Sequence, residues 1–103
     1  MRRQPTVDHK AALAALPSLG AKSAEMLVEA GIADVKTLRR LGPLKAYRRL
    51  RFHFGKRVST NFAYAIECAL RGIDWRLLEA PRKLELKAET QRINADLEAA
   101  AQR

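Results

Sequence analysis

The chain has 103 residues, 48% of them apolar, which is enough for one buried core, too little for two, and well above what a disordered chain of this charge carries. Twenty Lys and Arg against eleven Asp and Glu leave a net charge of +9, a balance that favours a polyanionic partner. The single cysteine, Cys68, excludes an internal disulfide framework, and no apolar run approaches the roughly 20 residues of a membrane span.

In chain order, residues 1–7 read as a frayed tail. The start Met1-Arg2-Arg3-Gln4-Pro5 is not followed by a signal-type apolar core, so with one reduced thiol the expected location is the cytoplasm. Asp8 can cap a short helix carrying Ala12, Leu13 and Leu16 on one side, which Pro17 ends. Leu19-Gly20 turns the chain into a second helix, where Ala24, Leu27, Val28 and Gly31 keep the i, i+3, i+4, i+7 spacing of one buried face and Gly31 supplies the C-terminal cap. Asp34 can cap a brief third helix bearing Val35 and Leu38. Leu41-Gly42-Pro43 then restarts the chain, with proline at a favoured first helical position.

The fourth predicted helix turns Leu44, Tyr47, Leu50 and Phe54 inward and leaves Lys45, Arg48, Arg49 and Arg51 largely outside, until Gly55 breaks it. Ser59 reads as the N-cap of a fifth helix with a seam of Phe62, Ile66, Ala69 and Leu70, ending at Gly72. Asp74 and Trp75 begin another turn. Pro81 opens a terminal helix over residues 81–103, in which Leu86, Thr90, Ile93, Leu97 and Ala100 alternate spacings of four and three. This narrow seam serves either docking on the same chain or a homodimer with a second copy. No period-two alternation predicts a strand, so the fold class is all-α: a compact bundle of about five short helices plus a longer C-terminal one, with residues 8–80 as the main unit.

The charge is segregated. Lys36, Arg39, Arg40, Lys45, Arg48, Arg49, Arg51, Lys56 and Arg57 fall in one acid-free stretch, and the rest of the chain is neutral. A solubilising surface does not require such segregation. Leu16, Leu19, Gly20, Ala24 and Val28 recur 22 positions later as Leu38, Leu41, Gly42, Ala46 and Leu50. Each copy describes helix, tight turn, helix. The first N–H groups of a helix lack internal partners and lie at the positive end of its dipole, so a phosphate can sit at either turn. Lys22 would flank the first; Arg39, Arg40 and Lys45 would surround the second. Plain helix capping explains the first turn about as well and the second less well.

Residues 16–27, reading LPSLGAKSAEML, resemble the helix-hairpin-helix motif of non-sequence-specific DNA-binding proteins, with Ser18 where that hairpin usually carries its first glycine. Ala30-Gly31-Ile32, the run from Leu38 to Gly42, Ala46-Tyr47-Arg48, residues 57–67 (RVSTNFAYAIE), Gly72 and Trp75 extend this into a closer resemblance, over about residues 8–80, to the C-terminal domain of the TfoX/Sxy family of competence regulators. That resemblance implies a stand-alone helical module linked to transcriptional control of DNA uptake.

Residues that carry other chemistry are few. His9 and His53 have no Cys or His partner at metal-ligand spacing, Cys68 in mid-helix reads as a packing residue, and neither a P-loop nor G-x-G-x-x-G occurs. No enzymatic activity and no cofactor are expected. Tyr47, Phe54, Phe62, Tyr64 and Trp75 read as core aromatics; Phe52, between Arg51 and His53, is the exception that could stack on a base or a partner side chain. The expected function is non-enzymatic contact with the phosphate backbone of nucleic acid, duplex DNA first, through Gly20, Lys22, Arg39, Arg40, Gly42, Lys45, Arg48, Arg49 and Arg51. The alternatives are an adaptor whose basic face meets an acidic protein and an RNA-binding module.

Overall fold

The computed structural model describes residues 9–102, of which the great majority are helical, with no strand among them. The expected tail and the Asp8 cap lie outside the described residues. The first helix, α1 (His9–Ala14), buries only Leu13; Ala12 is exposed because a helix this short offers one turn to the core. Pro17 then directs a tight reversal in which the Leu19 amide donates to the Leu16 carbonyl at 3.2 Å. Ser18 holds φ at 67°, the left-handed value that the third residue of a type II turn requires and that glycine adopts without strain.

Helix α2 (Ala21–Glu29) buries Ala24 and Leu27. It ends in a closed cap: the Ile32 amide donates to the Leu27 carbonyl and that of Gly31 to Val28, at 2.8 and 3.0 Å, with Gly31 at φ 91°. This pairing satisfies carbonyls at the end of the helix and swings Ile32 fully into the core. Val28, expected on the buried stripe, stays at its edge with 37% of its surface exposed.

The third and fourth predicted helices are two legs of α3 (Val35–Phe54), broken at Gly42, whose φ of 78° and ψ of 173° are not helical. Asp34 caps the first leg by accepting from the Thr37 amide at 2.7 Å. On the second leg Ala46, Tyr47 and Leu50 are buried, and Leu44 and Phe54 are half-buried. A short 3₁₀ turn, Gly55–Arg57, leads to α4 (Thr60–Arg71). Ser59 stands at the N-cap, but its side chain makes no cap hydrogen bond, because only the backbone carbonyl closes that turn, on Phe62. Ala63, Ile66, Cys68 and Ala69 are buried, while Phe62 and Leu70 pack at the core margin. Gly72 in the left-handed region closes the helix.

A second 3₁₀ turn, Trp75–Leu77, is capped by Asp74. Trp75 is not a core aromatic: it is 60% exposed, since a single tight turn at the periphery cannot bury so large a ring. The terminal helix α5 (Ala80–Ala101) has Pro81 in its first turn and packs on its own chain against α3 and α4. Leu86 and Thr90 are buried, Ile93 and Leu97 are half-buried, and Ala100 is exposed. Two polar contacts set the register of that docking. The Tyr47 hydroxyl donates to Asn94 Oδ1, and the Thr60 and Thr90 hydroxyls pair, both at 2.8 Å. The half-buried Arg82 guanidinium also meets the Glu67 carboxylate through Nε and Nη2, at 3.0 and 3.1 Å, tying α5 to α4.

Candidate functional site

The second leg of α3 carries its exposed cations on one face and its core residues on the other. With 3.6 residues per turn, burying Ala46, Tyr47 and Leu50 forces Lys45, Arg48, Arg49 and Phe52 onto the opposite face, and all four are exposed. Phe52 lies at the C-terminal end of this outer face, 80% exposed. The 3₁₀ turn continues the chain beyond Gly55, so the exposed Lys56 follows Phe52 by four residues. Among the described residues the ion pairs engage Arg71, Arg76, Arg82, Arg92 and His53. None engages any of the nine Lys and Arg between positions 36 and 57.

Those paired charges gather instead on α4, the Trp75–Leu77 turn and α5. Arg71 grips Glu79 through both terminal nitrogens at 2.9 and 3.0 Å, and its hydrogen bonds hold the Glu79 carboxyl down at about 2. Arg76 does the same for Asp74, also held at about 2. Burial pushes the Cys68 thiol above its ordinary value, so it remains protonated and packed. Among the described residues no group of three or more His, Cys, Asp or Glu could hold a metal ion.

The structure does not bring the expected contact residues together in one place. Lys45, Arg48 and Arg49 share the outer face, and the Arg49 guanidinium lies beside Gly31, 3.8 Å from where a Cβ there would sit. Arg39 and Arg51 are occupied by the fold. Arg39 Nη1 donates to the Leu70 carbonyl at 3.3 Å, at the negative end of α4. Arg51, expected largely outside, is half-buried because its Nη1 donates to the Val58 carbonyl at 2.7 Å. Arg40 is exposed on the first leg of α3.

Gly20 and Lys22 belong to the opposite end of α2. The end that meets α3 is the C-terminal one, where His53 Nε2 lies 3.4 Å from Glu29 Oε2; Lys22 stands about 10 Å away along the helix axis. The neighbouring Ser18 instead lines a cleft with Asn61, Tyr64, Trp75 and Lys83. The two turns also differ in backbone, since Gly20 has φ −131° against 78° at Gly42. At the second turn Pro43 removes one of the N–H groups that would face an anion.

Several residues of this surface carried no clear signal in the sequence. A groove of about 350 Å³, mostly apolar, runs between the end of α3 and the last turns of α5, lined by Arg51, Phe52, Lys56, Asn94, Leu97 and Glu98 among others. Spacing on α5 placed Leu97 on its seam, but only the crossing of the two helices brings it beside Phe52. The Arg57 guanidinium lies 5.3 Å from the Phe54 ring centroid, a cation–π contact.

Two crystal structures of proteins from Listeria monocytogenes share this fold. One, of an uncharacterised protein in a triclinic form, is 33% identical with a TM-score of 0.69, covering 73% of this chain and 84% of that one. The other, of a protein of unknown function in a tetragonal form, is 32% identical with a TM-score of 0.74, covering 79% and 99%. No curated protein matches the chain. Residues 9–90 match the TfoX C-terminal domain, and the chain belongs to that family, which is linked to competence regulation.

Proposed function

We propose, from this membership and from the outer face of α3, that the protein is a non-enzymatic module that binds the phosphate backbone of nucleic acid, duplex DNA first, in the control of competence or transcription. The observation that carries the reading is the cluster of Lys45, Arg48, Arg49 and Lys56. These cations are exposed and unpaired with carboxylates among the described residues, whereas Arg71, Arg76, Arg82 and Arg92 each face a carboxylate. Phosphate contacts position a protein without reading sequence, so specificity for particular bases is weak. Gly20, Lys22, Arg40 and Gly42 are secondary contacts in this proposal, while Arg39 and Arg51, expected as contacts, are engaged by backbone carbonyls of the fold. No helix among the described residues is long and apolar enough to cross a membrane.

The test is fluorescence anisotropy of a labelled duplex across a salt series. If about four phosphates are contacted, the logarithm of affinity falls against that of salt with a slope of about −3 to −4. Undetectable duplex binding at low salt refutes the duplex form of the proposal.

A second reading is a protein adaptor whose basic face meets an acidic partner, favoured by the exposed, carboxylate-free Arg48 and Arg49. Charge reversal at Arg48 and Arg49 separates the two. The adaptor alone survives if a pulled-down acidic partner is lost while DNA affinity never existed.

A further inference from the structure

We infer that the groove beside Phe52 receives an unpaired nucleobase, so that the ligand of the outer face is single-stranded nucleic acid in preference to a fully paired duplex. This rests on the backbone-binding reading above and replaces its duplex preference with a single-stranded one.

Three observations carry it. Phe52 projects from the C-terminal end of the face that Lys45, Arg48 and Arg49 occupy, one turn after Arg48 and Arg49, and lines a groove together with Lys56 beyond the Gly55 break. A ring between cations at this spacing suits a strand whose base stacks on the ring while its flanking phosphates meet the charges. Second, the ring forms one wall of the groove of about 350 Å³, whose opposite side is Leu97 with Ala100 and Ala101 of α5. Those small side chains leave an apolar slot. Third, Asn94 and Glu98 also line the slot, and the Tyr47 hydroxyl bonded to Asn94 Oδ1 fixes the orientation of that amide. An amide and a carboxylate offer the donor and acceptor that the edge of a flipped-out base needs.

A paired duplex keeps its bases stacked inside and offers Phe52 nothing to stack on. An amphipathic peptide helix is a poorer match, because it needs apolar anchors at i, i+3 or i+4, and i+7, and the outer face of α3 presents one large apolar side chain surrounded by charge.

The experiment measures affinities of the full chain for oligothymidylate and oligouridylate of about 15 nucleotides and for a duplex of equal length, at fixed salt. It is repeated with Phe52→Leu and Phe52→Trp. Because Phe52 is 80% exposed, neither variant disturbs folding. The expected result is tighter binding of the single strands. Phe52→Leu should weaken that binding about 10- to 100-fold with duplex affinity unchanged, and Phe52→Trp should retain it.

Strong binding of either oligothymidylate or oligouridylate supports the inference and identifies DNA or RNA as the source, provided the leucine variant loses it. Equal affinities for single strand and duplex, or a Phe52→Leu variant that loses nothing or loses both equally, overturn the inference and leave backbone binding standing. No binding of any probe defeats both. An acidic peptide held equally well by the leucine variant, with no single-strand binding, assigns the groove to a protein and also overturns it.

Discussion

Arg48 and Arg51 are three residues apart in one basic stretch, yet their surroundings predict opposite outcomes on removal. Arg48 is exposed on the outer face of α3. If it meets one phosphate, Arg48→Ala removes about 0.9 from the salt slope, taking about −3.6 for four contacts to about −2.7, and leaves the melting temperature where it was. Arg51 donates at 2.7 Å to the carbonyl of the fully buried Val58. Arg51→Ala leaves that carbonyl without its donor at a cost of about 2 kcal/mol, roughly 8–16 °C in Tm for a domain of this size, and keeps the slope near that of the wild type. Anisotropy titrations at several salt concentrations, paired with thermal unfolding followed by circular dichroism, read both quantities on each variant. The assignment of roles is wrong if Arg51→Ala flattens the salt dependence as much as Arg48→Ala while both melt like the wild type.

Ser18→Gly relieves a left-handed φ of 67° and should stabilise the protein by about 0.5–1 kcal/mol after the added freedom of the unfolded chain is subtracted; a loss of stability in urea titration contradicts the type II turn. Leu86→Ala should cost about 2–4 kcal/mol, because Leu86 is fully buried where α5 meets the rest of its own chain; an unchanged unfolding midpoint rules out that docking. Glu79 and Asp74 are held at about 2 against ordinary values of 4.5 and 3.8. Folded values below unfolded ones mean that their stabilisation is complete above about pH 5 and is lost as pH falls through those values towards 2. Acid unfolding should therefore steepen in that window, and Arg71→Gln should remove the part due to Glu79. An acid profile indifferent to Arg71→Gln counts against the pairing.

Helix positions were readable from the sequence wherever a punctuating residue coincided with a change of periodicity: Asp34 as a cap, Gly31 and Gly72 as closures, and Gly42-Pro43 as the break in α3. Burial was read less well at Val28 and Trp75. Periodicity tells which face of an element is apolar, but the width of the covered stripe depends on neighbours folded onto it from elsewhere. The polarised face followed from spacing alone, since Tyr47 and Leu50 dictate where Lys45, Arg48 and Arg49 point. That Arg39 and Arg51 serve backbone carbonyls was not legible, because their acceptors, Leu70 and Val58, lie 31 and 7 residues away. The groove was hidden for the same reason: half its wall comes from α5, and nothing local to Phe52 announces Leu97 or Asn94.

Pairing Arg71, Arg76, Arg82 and Arg92 with carboxylates on α4, the Trp75–Leu77 turn and α5, while leaving Lys45, Arg48, Arg49 and Lys56 unpaired elsewhere, gives the molecule an electric moment as well as a net charge. Well before contact, the field of a polyanion turns such a body so that the second leg of α3 leads the approach. Encounters thus begin already oriented, and their frequency drops steeply once mobile ions shorten the reach of that field to about 8 Å.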